Sequence, residues 1–187
     1  HFNSFFEKLK ESLQAKKIEI IDVFIVPGNH DKIRNVMDSE ILELYDFEPD
    51  EFYKKYWQYL RMDFDEYRLL SRDIYKIFLD EEVVQKKCFR ETYGVGLCEI
   101  KDKHICFLLF NTAWSSLDRN DERKLKIGKF QLEQIKKQYE QILEEHNLDL
   151  TIVLAHHPMD WLDGTEETML RADLLSNNSL NANIYIS

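Results

Sequence analysis

The chain has 187 residues, 44% of them hydrophobic and 32% charged, which is typical of one soluble globular domain large enough to bury a core. Its net charge of −10 excludes loose binding of nucleic acid through the overall electrostatic field. No apolar run is long enough to span a bilayer, and we predict no signal peptide. Cys88, Cys98 and Cys106 lack C-x-x-C spacing, so we predict buried thiols in a reducing, cytoplasmic compartment.

The first half of the chain predicts a helix, a strand and a long helical segment. Apolar side chains recur at helical spacing in residues 2–16. Residues 18–26 are rich in β-branched side chains and run into Pro27-Gly28, which predicts a buried strand followed by a turn. Residues 38–87 are helical in pattern and strongly aromatic, with a helix start at 48–50. We interpret these aromatic side chains as packing residues rather than as a base-stacking platform.

The second half continues the alternation of helix and strand. Its predicted elements are strands at 93–100 and 104–112, a helix at 128–146, a strand at 149–155, a helix at 166–176 and a strand at 182–187. In the helix at 128–146, the inward side chains should be Phe130, Ile135, Tyr139 and Ile142 or Leu143. Strands that are almost continuously apolar and alternate with helices predict an α/β fold with buried sheets.

Two polar clusters follow predicted strands at the point where each strand ends. Asn29, His30 and Asp31 come after "VPG", and His156 and His157 come after "VLA". In open α/β sheets, ligands bind in the crevice beyond the carboxyl ends of the strands. Imidazole nitrogen and amide oxygen can both bind a divalent transition metal. The alternative is that the first cluster is turn chemistry and the second a partly exposed histidine pair.

The sequence "GNHD" at residues 28–31 resembles the most recognisable motif of the calcineurin-like metallophosphoesterases. "TIVLAHHP" is similar to the family's later strand-plus-histidine motif, and "FLLFNTAWSS" and "GKFQLEQIKKQYEQ" are similar to the segment between the two. The resemblance covers nearly the whole chain except residues 38–87, which look like an inserted helical cap. It implies an α/β fold in which two mixed β-sheets form a sandwich flanked by helices.

The resemblance also implies a dinuclear metal centre that hydrolyses phosphoesters, as a phosphodiesterase or a phosphatase. By position, Asn29 and His156 would bind the second of two divalent metal ions, such as Mn, Fe or Zn. His30 would act as general acid or transition-state stabiliser, and Asp31 would accept a hydrogen bond from His30. His157 falls on a variable position, so we expect it to have a role other than metal ligand. Nucleotides and nucleic acids stay open as substrates.

Three motifs of that family have no counterpart in the chain: the first Asp-x-His, the Gly-Asp-x-x-Asp and the final Gly-His-x-His. They would supply the ligands of the first metal, the bridging aspartate and two histidines. We therefore expect residues 1–187 to be one metallophosphoesterase-like domain that is truncated at both ends and inactive alone. The two metal ions belong to the complete domain, and this segment need not hold them. The alternative is a catalytically inactive phosphoesterase-like module that serves as a protein-interaction domain. The sequence does not indicate the oligomeric state.

Other polar residues are weaker candidates. The loop at 113–127 would either bring Trp114 or Arg119 near a substrate or, as we favour, carry solvated charge. His104 and His146 have no partner signal, and we interpret both as structural. Three residues that follow the "HHP" motif are candidates for the rim of a cleft: Asp160, Trp161 and Asp163.

Overall fold

The computed structural model of the protein describes residues 2–32, 64–86, 92–118, 120–176 and 179–187. The helices and strands in these ranges are α1 (Phe2–Ala15), α2 (Asp65–Phe78), α3 (Glu81–Lys86), β1 (Gly94–Ile100), β2 (Lys103–Phe110), α4 (Lys129–Glu145), β3 (Leu150–Ala155), a 3₁₀ helix (Met159–Trp161), α5 (Gly164–Leu175) and β4 (Ile184–Ile186). With one exception, at 18–26, the elements predicted in these ranges are confirmed. Cys88, the helix start at 48–50 and part of the predicted cap, 38–63, lie outside the described residues.

The four strands form one mixed sheet in the order β1-β2-β3-β4. Strands β1 and β2 are antiparallel and joined by a tight turn in which Lys101 and Asp102 both adopt left-handed conformations, with φ of 49° and 64°. Strand β3 runs parallel to both β2 and β4. The mixed α/β class is thus confirmed, and one sheet lies within the described residues where the resemblance implies two.

Residues 18–26 form no strand, contrary to the prediction. They pack on the face of the sheet instead, where the ring of Phe24 stacks on Phe107 of β2 with centroids 4.3 Å apart. The same ring covers Gly96 of β1, because a Cβ atom there would come within 2.2 Å of it. The apolar, β-branched composition signals burial against a sheet. A strand also needs a neighbour to bond its backbone, and in the described part of the chain none pairs with this segment.

The core draws on the sheet, on α4 and α5, and on the loop that follows β2. In α4, Ile135 and Tyr139 are buried as predicted, Phe130 and Ile142 are half-buried, and Leu143 is exposed. The largest fully buried side chains among the described residues are Trp114, Phe64, Phe110, Leu108, Leu125, Ile127, Ile135, Leu162, Leu170, Leu180 and Gln131.

The loop between β2 and α4 is more buried than the sequence predicts. Trp114 is 1% exposed, and its indole Nε1–H donates to the carbonyl of Ile127 at 3.1 Å. It is therefore a core residue and not a substrate contact. The carboxylate of Asp121 is also buried and accepts from the Ser116 hydroxyl at 2.6 Å. The expected solvated charge is found at residues 122–124, which are exposed. Arg119 lies outside the described residues.

A buried carboxylate closes the N-terminal end of α4. One oxygen of Glu166 accepts from the backbone N–H of Ile127 at 3.0 Å and of Gly128 at 2.9 Å. Gly128 directly precedes the helix with a φ of 85°, in the left-handed region that favours glycine. The negative charge complements the positive end of the helix dipole, so this contact joins α5 to α4.

The predicted burial of the thiols is confirmed for Cys98 and Cys106. Burial raises the pKa of Cys106 to about 12, and the reactive form of a thiol is the thiolate. We therefore expect iodoacetamide at pH 8 to leave Cys106 unmodified in the native protein and to alkylate it in urea. Peptide mass spectrometry measures both states, and rapid alkylation of native Cys106 would contradict the burial.

Candidate functional site

The turn after residues 18–26 and the end of β3 meet at one edge of the sheet. The register of β2 and β3 pairs Phe110 with Ala155, so both strands end at this edge. His156 follows β3 directly, and its Nε2 lies 3.3 Å from Oδ1 of Asn29, 127 positions earlier in the chain. The side chains of Asn29 and His156, which the family resemblance assigns to one metal ion, are thus in contact.

The turn that carries Asn29 is closed by Asp31. One carboxylate oxygen of Asp31 accepts from the N–H of Gly28 at 2.8 Å, and the N–H of Asp31 donates to the carbonyl of Gly28 at 3.0 Å. The hydrogen bond expected from His30 to Asp31 is not seen among the described residues, and the His30 side chain is exposed. In this structure Asp31 holds the turn, so it acts on Asn29 through the backbone.

Gly28 provides the space for the ring of His156. A Cβ atom at residue 28 would lie 3.1 Å from Cε1 and Nδ1 of His156 and 3.2 Å from Nε2. These separations are shorter than ordinary van der Waals contacts, so any larger residue would displace the imidazole. The glycine of the "GNHD" motif is needed for this close approach of ring and backbone.

His157, next to the exposed His156, is buried. Its Nδ1 is hydrogen-bonded to the Thr112 hydroxyl at 2.9 Å, and its ring stacks on Trp161 with centroids 5.4 Å apart. Burial lowers the pKa of His157 to about 4, the neighbouring His156 also lowers it, and Asp121 and Thr112 act in the opposite direction. The ring is therefore neutral at physiological pH. Its Nε2 is buried without a hydrogen-bond partner among the described residues.

Asn29 and His156 are in hydrogen-bond contact, and the length of this contact is also compatible with two ligands on one cation. Donor atoms about 2.1 Å from a shared metal ion lie roughly 3.0–3.4 Å apart at bond angles of about 90–110°. The 3.3 Å between Nε2 of His156 and Oδ1 of Asn29 falls in that range. Two donors are fewer than a metal ion needs, and within the described ranges no group of three or more His, Cys, Asp or Glu side chains is placed to hold one. The pair therefore fits one part of a coordination shell.

The remaining candidates have structural contacts. The imidazoles of His104 and His146 lie with centroids 4.8 Å apart, and Nδ1 of His104 lies 3.2 Å from the carbonyl of Asn147. Asp163 accepts from the N–H of Thr165 at 3.0 Å and caps the start of α5. Asp160 is exposed and Trp161 half-buried against His157, which leaves both close to the edge that holds His156.

Two polar residues beside the site were not singled out from the sequence. Lys32 follows Asp31 directly, is 6% exposed, and donates from its ammonium group to the carbonyl of Ser116 at 3.1 Å. Thr112 comes two residues after β2 and bonds His157. The sequence could have pointed to Thr112, because this residue follows an apolar run that ends at the same edge of the sheet as the strand before His156. A lysine after a turn gives no such signal, because most lysines in that position are solvated.

The family model of the calcineurin-like phosphoesterases matches residues 1–185. The chain belongs to the calcineurin-like phosphoesterase family. No curated protein and no solved structure matches it. Membership supports a phosphoesterase-type function, and members of this family generally use divalent metal ions and act on phosphoester substrates. In the described part of the chain, no helix has the length and apolar character to cross a membrane.

Replacement of Gly28 by alanine tests the packing of the His156 ring. In Gly28→Ala we expect the NMR signals of the His156 ring to shift, because the new methyl group forces the ring to move by a few tenths of an ångström. Stability should change by less than about 1 kcal/mol, since the ring is exposed and can yield. Gly164→Ala is the matched control, because a Cβ there meets nothing within 4 Å. Unchanged His156 signals in Gly28→Ala would show that the ring does not lie over Gly28.

Proposed function

We propose that the chain is part of a metal-dependent phosphodiesterase or phosphatase with a dinuclear metal centre, in which Asn29 and His156 bind one of the two divalent ions. The 3.3 Å contact between the Asn29 amide oxygen and the His156 imidazole carries this proposal, together with the family of the chain. Two segments distant in sequence present an oxygen and a nitrogen ligand at one point. This oxygen and nitrogen pair suits Mn, Fe or Zn.

The charge of the chain supports a cation at this edge. A net charge of −10 disfavours the approach of an anionic phosphoester, so the site needs local positive charge. Asn29 is neutral and His156 binds a metal as a neutral ring, so neither ligand offsets the charge of the ion. Bound divalent ions supply Lewis acidity, an activated water and charge neutralisation for phosphoryl transfer. Because both ligands are neutral, the positive charge of the metal ion would remain available to the anionic substrate.

His30 and Asp31 have separate tasks in this proposal. His30 is exposed on the turn beside Asn29, where a substrate bound at the edge can contact it. It would donate a proton to the leaving oxygen or stabilise charge on the phosphoryl group. Asp31 keeps the turn closed through Gly28 and thereby fixes the direction of Asn29. Asp31 would then support His30 only indirectly, by fixing the backbone of the turn that carries both residues.

The proposal needs more ligands than the described residues provide. We place the ligands of the first metal, the bridging aspartate and the two further histidines in the Asp-x-His, Gly-Asp-x-x-Asp and Gly-His-x-His motifs, outside residues 1–187. The isolated 187 residues would then bind metal weakly and hydrolyse nothing. The sequence that flanks them in the full-length protein is a direct check, and the absence of all three motifs there would contradict the dinuclear centre.

Hydrolysis of bis-p-nitrophenyl phosphate by the full-length protein with Mn²⁺ tests the named residues. We expect His30→Ala to lower kcat by about 10²–10⁴-fold, because it removes a proton donor, without changing the Mn²⁺ concentration that gives half-maximal activity. Asn29→Ala and His156→Ala should raise that Mn²⁺ concentration, since each removes a ligand. His146→Ala, at a structural histidine, is the control and should match the parent. Parental activity in all three site variants would contradict the assignment.

A second candidate function is a catalytically inactive phosphoesterase-like module that binds another protein. Exposed apolar side chains favour it: Phe5, Ile18 and Ile21 are 61%, 49% and 49% exposed. Exposed apolar side chains, where they form one patch, are typical of surfaces that another protein segment covers. The same assay separates the two functions, because a full-length parent without Mn²⁺-dependent hydrolysis would favour the inactive module.

A further inference from the structure

The segment that follows β2 is buried beside both halves of the candidate site. Residues 112–116, here called the anchor segment, are each at most 3% exposed. Asn111, just before it, is held by Gln131 of α4, which donates to its carbonyl at 3.1 Å and accepts from its N–H at 2.7 Å. The ring of Trp114 is bonded to the backbone before α4. The anchor segment is thus fixed to the core and cannot move independently of it.

Lys32 ties the turn of Asn29 to the anchor segment. Its ammonium group is buried and donates to the carbonyl of Ser116 at 3.1 Å. The hydroxyl of Ser116 in turn donates to the buried carboxylate of Asp121 at 2.6 Å. A buried ammonium is costly unless it is hydrogen-bonded, so the turn is strongly held at this point.

Thr112 ties the end of β3 to the same anchor segment. Its hydroxyl oxygen accepts from the N–H of His157 at 3.1 Å and is bonded to the His157 ring at 2.9 Å. On the opposite side, the hydroxyl of Tyr185 donates to the carbonyl of His157 at 2.9 Å. Both the N–H and the carbonyl of His157 are therefore held by hydrogen bonds. Because His156 directly precedes His157, these bonds also restrict the backbone of His156.

We propose that the anchor segment sets the distance between Asn29 and His156, with Lys32 and Thr112 as the positioning residues. Lys32 lies three residues after Asn29 and donates a buried hydrogen bond to the anchor segment. Thr112 belongs to the anchor segment and accepts a buried hydrogen bond from His157, the residue that follows His156. The inference rests on the proposed function where it takes Asn29 and His156 as metal ligands. Neither positioning residue touches the metal, so each acts through the backbone that carries a ligand.

The first test measures the distance without metal. Lys32→Met keeps the length of the side chain without its charge, and Thr112→Val keeps the shape without the hydroxyl. We expect both variants to lose the nuclear Overhauser effect between the Asn29 side-chain amide and the His156 ring. Thr112→Ser should retain it, because the hydroxyl remains. Lys137→Met, at an exposed lysine of α4, should also retain it.

The double variant Lys32→Met/Thr112→Val tests whether the two residues serve one anchor. Loss of either bond frees one ligand from the anchor segment, so the double variant should change the His156 ring shifts less than the sum of the two single variants. Full additivity would show two independent contacts and would overturn the shared anchor.

The second test titrates the full-length protein with Co²⁺ alone, followed by the visible absorption of the bound ion. We expect Lys32→Met and Thr112→Val to raise the Kd for Co²⁺ by about 10–100-fold, the usual effect of removing a group that orients a ligand. Lys32→Met also removes a positive charge, which by electrostatics alone would tighten cation binding. Weaker binding therefore reports positioning, and tighter or unchanged binding overturns it.

The two proposals fail in different ways. If the parent and His156→Ala bind Co²⁺ equally, the ligand pair of the proposed function is wrong, and the nuclear Overhauser effect still decides the role of the anchor segment. If the parent binds Co²⁺ through His156 but both positioning variants keep the Overhauser effect and the Kd, the positioning inference is wrong. The proposed function would then remain.

Discussion

The parallel pairing of β2 with β3 is the constraint on which the candidate site depends. It aligns Phe110 with Ala155, so the chain leaves both strands at the same edge of the sheet. Thr112 and His157, each two residues past that aligned pair, then meet as neighbours. Antiparallel strands would carry these residues to opposite edges. The arrangement follows the general tendency of α/β proteins to place their sites beyond the carboxyl ends of strands.

The site edge combines an exposed front with a rigid, buried polar support. His156 and His30 are exposed and accessible to ligands, whereas His157, Lys32 and Thr112 are buried behind them. Hydrogen bonds in a medium of low dielectric constant are strong, and breaking one leaves a polar group without a partner. Such a support restricts small displacements of the side chains in front of it. On the proposed function this restriction matters, since a shift of about 1 Å can cost on the order of a hundredfold in rate.

The sequence predicted most of the described helices and strands because their hydrophobic periodicity is strong, as in α4 and β3. It failed at 18–26, where composition reports burial but strand formation depends on a partner distant in sequence. The meeting of Asn29 with His156 was predicted from two strand ends and a family motif, although the first of those two strands, at 18–26, does not form. The burial of Trp114, Asp121 and Lys32 could not be predicted, because each depends on tertiary packing rather than on local pattern.

The position of Glu166 affects how this domain handles anions. The N-terminal end of a helix commonly binds phosphate, through free N–H groups and the positive end of the dipole. At α4 the carboxylate of Glu166 lies at this end of the helix and accepts from the N–H groups of Ile127 and Gly128, the two residues that precede it. A phosphorylated compound would meet repulsion there instead of attraction. Recognition of such a compound is thereby directed away from the start of α4.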